Sequence, residues 1–174
     1  MSGSSLFVLG GARSGKSRYS QARAEAAGGS PVFVATAEAF DDEMRARIAR
    51  HQADRDARWR TVEAPRDLPA AIDALNAEDA VVLVDCLTLW VSNLLLAEAD
   101  IPRAGRELCD AIVRFEGKLI LVANEVGLGI VPDNALARAF RDAAGQLNQS
   151  VAAAVEEVVL LTAGLPLTLK QRGT

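Results

Sequence analysis

The sequence predicts an α/β fold in which a mostly parallel central sheet carries helices on both faces. Three observations predict it. Short β-type runs alternate with longer helical ones, the order that builds parallel sheets through crossover helices. Each main strand candidate is a continuous apolar run rather than an alternating one, as expected where helices cover both sheet faces. Glycine-rich loops at 10–15 and 127–129 each follow a strand directly. In open parallel sheets, ligands bind at the carboxyl ends of strands. At 174 residues the chain is expected to form one domain, 1–174, against a prior of about 150 residues per domain.

The elements follow in order. Strands are expected at Leu6–Leu9, Val32–Thr36, Val81–Asp85, Leu119–Ala123 and Val158–Thr162. A shorter strand is expected at Thr61–Glu63, and Leu167–Leu169 is placed as an edge. Helices fit between them at Lys16–Ala27, Asp42–Asp54, Asp67–Leu75, Thr88–Ala97, Arg103–Phe115 and Asn134–Val155. Asp41 or Asp42 is the expected N-cap of the second helix, with acids in its first turn, where they favour the positive end of the helix dipole. The last helix is expected to break near Gly145, because glycine weakens helix interiors. Glu98–Arg103, with Pro102, reads as a linker. No internal repeat or low-complexity segment interrupts the pattern.

Composition narrows the function. Half the residues are hydrophobic, enough to bury a core without disulfides. The net charge is −4 at pH 7, which argues against a nucleic-acid-coating protein, whose footprint is basic. No apolar run reaches the roughly 18 residues of a membrane span. Met1-Ser-Gly-Ser-Ser lacks a basic region before the first strand, so no signal peptide is expected and the setting is expected to be cytoplasmic. Cys86 and Cys109 have no CxxC spacing and read as buried, reduced thiols. One histidine, His51, rules out a multi-histidine metal site within one chain.

The stretch Gly10-Gly11-Ala12-Arg13-Ser14-Gly15-Lys16-Ser17 is a phosphate-binding P-loop pattern between a strand and a helix. Its glycines let backbone N–H groups wrap a phosphate, and the following helix adds its positive end. Lys16 is expected to reach the β and γ phosphates and Ser17 to offer its hydroxyl to Mg²⁺. Lys16 is one of three lysines, against 16 arginines. Val81–Asp85 is an apolar strand ending in an acid, as a Walker B strand does; Asp85 is the expected second group of the Mg²⁺ site. The fold class narrows to P-loop NTPase-like. Asn124-Glu-Val-Gly lacks the Lys and Asp of the guanine-reading NKxD motif, which argues against a switch GTPase.

Seven of the arginines lie between Arg45 and Arg66. On a helix, His51 shares a face with Arg47, Ile48 and Arg55. Flanking guanidiniums disfavour the imidazolium and keep a ring nitrogen free at neutral pH, which suits a nucleophile towards phosphorus. The same segment also reads as a solvated helix with pairs such as Glu43–Arg47 and a surface histidine.

Together these stretches closely resemble the bifunctional adenosylcobinamide kinase / adenosylcobinamide-phosphate guanylyltransferase family of cobalamin biosynthesis. The resemblance runs through Gly10–Ser17, Val34–Ala37, Asp42–His51, Trp59–Glu63, Asp85–Thr88, Asn124–Pro132 and Arg138–Asn148, so it covers nearly the whole chain in order. It implies phosphorylation of adenosylcobinamide by ATP or GTP. It then implies transfer of GMP from GTP to the phosphate, giving adenosyl-GDP-cobinamide through a guanylyl-histidine. Arg50 precedes the histidine, so His51 is the one candidate for that intermediate. The nucleotide contacts it implies fall on Gly10–Ser17, on Ala35, Thr36 and Ala37, on Gln52, Ala53, Asp54 and Arg55, and on Glu63 and Asp85. Asp85 stands where relatives often have Glu, one methylene longer. A homotrimer is also implied.

The resemblance leaves Gly127-Leu-Gly129 with two readings. It is either a strand-to-helix connection with positive-φ glycines, or, with Glu125, a wall lining the cobinamide or a subunit interface. Trp59 and Trp90 read as packing residues rather than corrinoid stackers. Two rival functions share the P-loop: a monofunctional small-molecule kinase, and a non-catalytic, nucleotide-dependent assembly module.

Overall fold

The structure, a computed structural model, describes residues 3–38 and 56–171. The expected helix Asp42–Asp54 lies outside the described residues, and with it His51, Gln52, Ala53, Asp54 and Arg55.

The described elements are β1 (Ser4–Gly10), α1 (Lys16–Glu25), β2 (Val32–Ala35), β3 (Arg60–Glu63), α2 (Leu68–Ala74), β4 (Val81–Asp85), α3 (Leu87–Leu96), α4 (Ile101–Arg114), β5 (Lys118–Asn124), α5 (Ala135–Ala154), β6 (Glu157–Thr162) and β7 (Leu165–Lys170). The seven strands form one sheet in the order β3-β2-β4-β5-β1-β6-β7. All neighbours run parallel except β6 and β7, which form an antiparallel hairpin. The P-loop strand β1 therefore sits between β5 and β6, with β4 one strand further on.

The apolar strand runs divide between two cores, because successive side chains point to opposite faces. Phe7, Val34, Val82, Val84, Leu119 and Leu121 pack under residues of α2–α5, including Leu68, Trp90, Leu108 and Val151. Leu6, Val8, Val81, Leu83, Ile120, Val122 and Leu161 face the other way, towards Ala24 and Tyr19 of α1 and Trp59. Helices thus cover both faces, as the continuous apolar runs require. Trp90 is fully buried and its indole N–H donates to the Arg66 carbonyl at 2.7 Å. Trp59 is half-buried, and its indole N–H donates to Glu25 at 3.3 Å. Both tryptophans serve packing.

Three expectations change. Helix α5 runs unbroken through Gly145. A glycine costs about 1 kcal/mol in a helix, and burial of Leu147 and Val151 on the same helix outweighs it at about 1.5–3 kcal/mol each. Helix α4 begins at Ile101, inside the expected linker. Pro102 falls in its first turn, where a missing N–H costs nothing, and the Asp100 carboxylate caps it by accepting from Arg103 N–H at 3.0 Å. The edge strand β7 spans Leu165–Lys170 rather than Leu167–Leu169. Its far end is secured by Lys170 Nζ, which donates to the carbonyls of Ala152 and Ala153 at 2.9 and 3.0 Å, satisfying the open end of α5.

Candidate nucleotide site

Strand register assembles the site. Glu63, Ala35 and Asp85 lie side by side on β3, β2 and β4, and Gly10 pairs with Asn124 on one side and Leu161 on the other. All are at the carboxyl edge of the sheet. Across that edge the Glu125 N–H donates to the Gly10 carbonyl at 3.0 Å. The Thr88 hydroxyl accepts from the Asn124 N–H at 2.7 Å, fixing the β5 end to the start of α3.

Gly10 cannot carry a side chain. A Cβ there would lie 2.5 Å from Ser14 Oγ and 2.6 Å from the Leu161 carbonyl oxygen. Gly15 caps α1 in the left-handed region, φ 98°, which favours glycine. Arg13 also has positive φ, 55°. Gly11, Ala12 and Arg13 are exposed, Ser14 and Lys16 buried. Ser14 Oγ finds no hydrogen-bond partner among the described residues. Lys16 Nζ donates to the Gly11 carbonyl at 2.6 Å, so the ammonium lies along the loop it is expected to serve. Ser17 Oγ donates to Asp85 Oδ2 at 3.3 Å.

These hard oxygens suit Mg²⁺, which takes one or two protein ligands and keeps several waters. Asp85 reaches Ser17 although it is the shorter acid. Among the described residues no cluster of three or more His, Cys, Asp or Glu forms a metal cage, and a P-loop site does not need one.

Other expected contacts divide. Glu63 is exposed at the end of β3 and Ala37 is half-buried, both open to a ligand. Thr36 is fully buried. Its hydroxyl donates to the Cys86 carbonyl at 2.7 Å and accepts from the Cys86 N–H at 2.8 Å. That hydroxyl is committed to the fold, so what Ala35–Ala37 can offer a ligand is backbone. Burial, with the Asp85 charge second, pushes the Cys86 thiol up to about 11, so it stays protonated and unreactive at neutral pH.

The loop between β5 and α5 differs from one expectation. Neither Gly127 nor Gly129 lies in the left-handed region. Gly127 is instead approached closely by its neighbour: its N–H donates to Glu125 Oε1 at 2.6 Å, and a Cβ would sit 3.0 Å from that movable carboxylate oxygen. The loop turns Leu128, Ile130 and Val131 outward, at 86, 98 and 62 % exposure. Sequence reasoning missed the Thr88 clamp and a contact from Gly164, whose N–H donates to the Ser14 carbonyl at 2.9 Å. An Ala-Gly pair before an apolar run was the available signal for that turn.

Residues 6–169 match the family described as cobinamide kinase / cobinamide phosphate guanyltransferase. The chain is 46 % identical over 167 residues to the bifunctional adenosylcobalamin biosynthesis protein CobP of Pseudomonas aeruginosa, covering 94 % of this chain and 96 % of that protein. It is 43 % identical over 182 residues to the bifunctional CobU protein of Salmonella typhimurium, covering 95 % and 99 %. The fold is similar to that of a Pyrococcus horikoshii OT3 protein, at 11 % identity and a TM-score of 0.56 over 99 % of this chain and 88 % of that one. It is also similar to the P4 protein of bacteriophage phi6, solved with ADP, at 15 % identity and a TM-score of 0.53 over 94 % and 52 %.

Proposed function

The chain belongs to the cobinamide kinase / cobinamide phosphate guanyltransferase family of enzymes, and from that premise we propose that it phosphorylates adenosylcobinamide with ATP or GTP and then transfers GMP from GTP to the product. The observation that carries this reading is the Ser17–Asp85 pair beside Lys16, at the mouth of a P-loop in a chain that aligns with bifunctional relatives almost end to end.

In the kinase step the cobinamide hydroxyl oxygen bonds to the γ-phosphorus, the bond from that phosphorus to the bridging oxygen breaks, the nucleoside diphosphate leaves and the hydroxyl proton passes to solvent. Loop N–H groups of Gly10–Ser17 hold the phosphates in line. Lys16 leaves the Gly11 carbonyl for the β and γ oxygens and offsets the charge that builds on the leaving diphosphate. Ser17 and Asp85 would hold Mg²⁺, which supplies further charge neutralisation between the phosphates when bound.

In the guanylyl step a ring nitrogen of His51 attacks the α-phosphorus of GTP and pyrophosphate leaves. The cobinamide phosphate oxygen then takes the GMP and frees the imidazole. Arg47 and Arg55 are one turn away on a helical spacing and would stabilise the departing pyrophosphate. Gln52, Ala53, Asp54, Arg55 and Glu63 complete the nucleotide contacts, with Ala35, Thr36 and Ala37 contributing backbone. The exposed apolar loop at 126–131 is the candidate surface for the corrin macrocycle or for a neighbouring subunit, and the Glu125 N–H bond to the Gly10 carbonyl puts its root beside the P-loop. A homotrimer is the proposed assembly, and the exposed leucines of β7, Leu165, Leu167 and Leu169, supply apolar surface for association. No helix among the described residues is long and apolar enough to cross a membrane. Nucleoside triphosphate substrates and two free thiols fit a cytoplasmic setting.

Mass spectrometry after incubation with GTP and Mg²⁺ tests the proposal. A GMP adduct on the peptide containing His51 is expected. No adduct, with intact kinase activity, would leave a monofunctional kinase.

A further inference from the structure

The outer side of the phosphate loop is held by the turn between β6 and β7, and we infer that this turn is a positioning element of the nucleotide site. The inference rests on the reading of Gly10–Ser17 as that site.

Thr162 ends β6, Leu165 begins β7, and the two are paired. Ala163 and Gly164 between them have φ of 53° and 79°. Two consecutive positive-φ residues make the tight hairpin turn whose twist matches its strands. The β6–β7 hairpin lies against the P-loop at three points. The Gly164 N–H donates to the Ser14 carbonyl at 2.9 Å. A Cβ on Gly15 would lie 3.3 Å from Gly164 Cα. The Leu161 carbonyl at the end of β6 fills the space beside Gly10, 2.6 Å from where a Cβ would be. Both glycines that bound the motif are thus pressed against the hairpin.

The hydrogen bond has a directional consequence. A trans peptide is planar, with its C=O and N–H pointing opposite ways. Holding the Ser14 carbonyl outward, onto the hairpin, turns the Gly15 N–H inward. Gly15 is the N-cap of α1, so this N–H is among the donors that a phosphate at the helix start would meet. The hairpin therefore fixes the orientation of one phosphate-binding amide without touching the ligand. Lys16, by contrast, is proposed to meet the phosphates directly.

Binding of GDP with Mg²⁺, measured by calorimetry alongside melting temperature, tests this. Gly164→Val forces a β-branched side chain into the left-handed region, which it strongly disfavours, and so displaces the turn. Gly164→Asn keeps that region accessible. Gly29→Val is the strain control: its φ is 74°, and a Cβ there meets nothing within 4 Å among the described residues. The Kd of Gly164→Val should rise roughly tenfold, about the loss of one charge-assisted hydrogen bond. Gly164→Asn and Gly29→Val should bind like the native protein, although Gly29→Val also melts lower. Native affinity in folded Gly164→Val, or equal weakening in Gly29→Val, would overturn the positioning role. If Gly164→Val does not fold, Gly164→Ala against Gly29→Ala makes the same comparison with less strain. Loss of binding in Lys16→Ala beside native affinity in Gly164→Val sinks the positioning role alone. A native protein that binds no GDP sinks the nucleotide-site reading, and this inference with it.

Discussion

Ser17 donates its hydroxyl hydrogen to Asp85 at 3.3 Å across a separation of 68 residues. The contact joins the first turn of α1 to the end of β4, at the carboxyl edge of the sheet. Asp85→Asn keeps the shape of this pair and removes its charge. Both transfer reactions should slow by about 10²-fold, the usual cost of losing one preorganised electrostatic partner. The Mg²⁺ concentration for half-maximal rate should rise while the melting temperature stays near native. An unchanged Mg²⁺ dependence would remove Asp85 from the metal site.

Lys16 and His51 should separate the two activities. The Lys16 ammonium, now on the Gly11 carbonyl at 2.6 Å, is the proposed clamp for any triphosphate in the loop. Lys16→Ala should lower both kinase and guanylyl transfer by 10²-fold or more, on the order expected for a phosphate clamp. His51→Ala should abolish labelling by α-labelled GTP and retain kinase activity, because direct phosphoryl transfer needs no histidine adduct. Assay of both reactions on both variants checks this. Guanylylation that survives in Lys16→Ala would require a second nucleotide site.

Local patterns made much of this arrangement legible. The P-loop could be read because its spacing itself encodes the turn and the helix start. The place of Asp85 at the carboxyl edge could be read because the apolar run of a parallel strand ends there. The Ser14–Gly164 contact could not, because it depends on β6 lying beside β1, and strand order is not written in any local run. The partner of the Thr36 hydroxyl could not be read for a related reason: it is Cys86, a neighbour only through the β2–β4 register. Pro102 looked like a linker because a proline breaks helices everywhere except the first turn, where Asp100 had placed it.

Arg23 and Glu157 form a two-pronged ion pair, at 3.1 and 2.7 Å, between α1 and β6. The Arg23 guanidinium holds the Glu157 carboxyl below its usual range, against partial burial. A carboxylate with a depressed folded pKa stabilises the fold fully above its unfolded value, about 4.3. That contribution fades as pH falls through the folded value. Native protein should therefore lose melting temperature more steeply than Glu157→Gln below about pH 4.3, and the gap between them should be constant from pH 6 to 8. Thermal melts across that range measure it. Parallel acid limbs would show that the pair adds nothing.

Ile130 is 98 % exposed and Leu128 86 %, yet their loop is held in place by the Glu125–Gly127 hydrogen bond and by Arg138, which donates to the carbonyls of Pro132 and Asp133 at 2.9 and 2.7 Å. Apolar side chains presented by an anchored loop mark a binding surface. The Glu125–Gly10 bond places the loop root at the P-loop, where the acceptor hydroxyl must arrive. A charge at Ile130 should therefore penalise the corrinoid rather than the nucleotide. Ile130→Glu is expected to raise the KM for cobinamide by roughly tenfold, the cost of desolvating a carboxylate against an apolar face. The Kd for GDP and the melting temperature should stay native, since the side chain contributes little to the core. The molecular mass in solution decides between the two occupants of this surface. A raised KM at unchanged mass assigns the loop to the corrin ring, and a fall in mass assigns it to the contact between subunits.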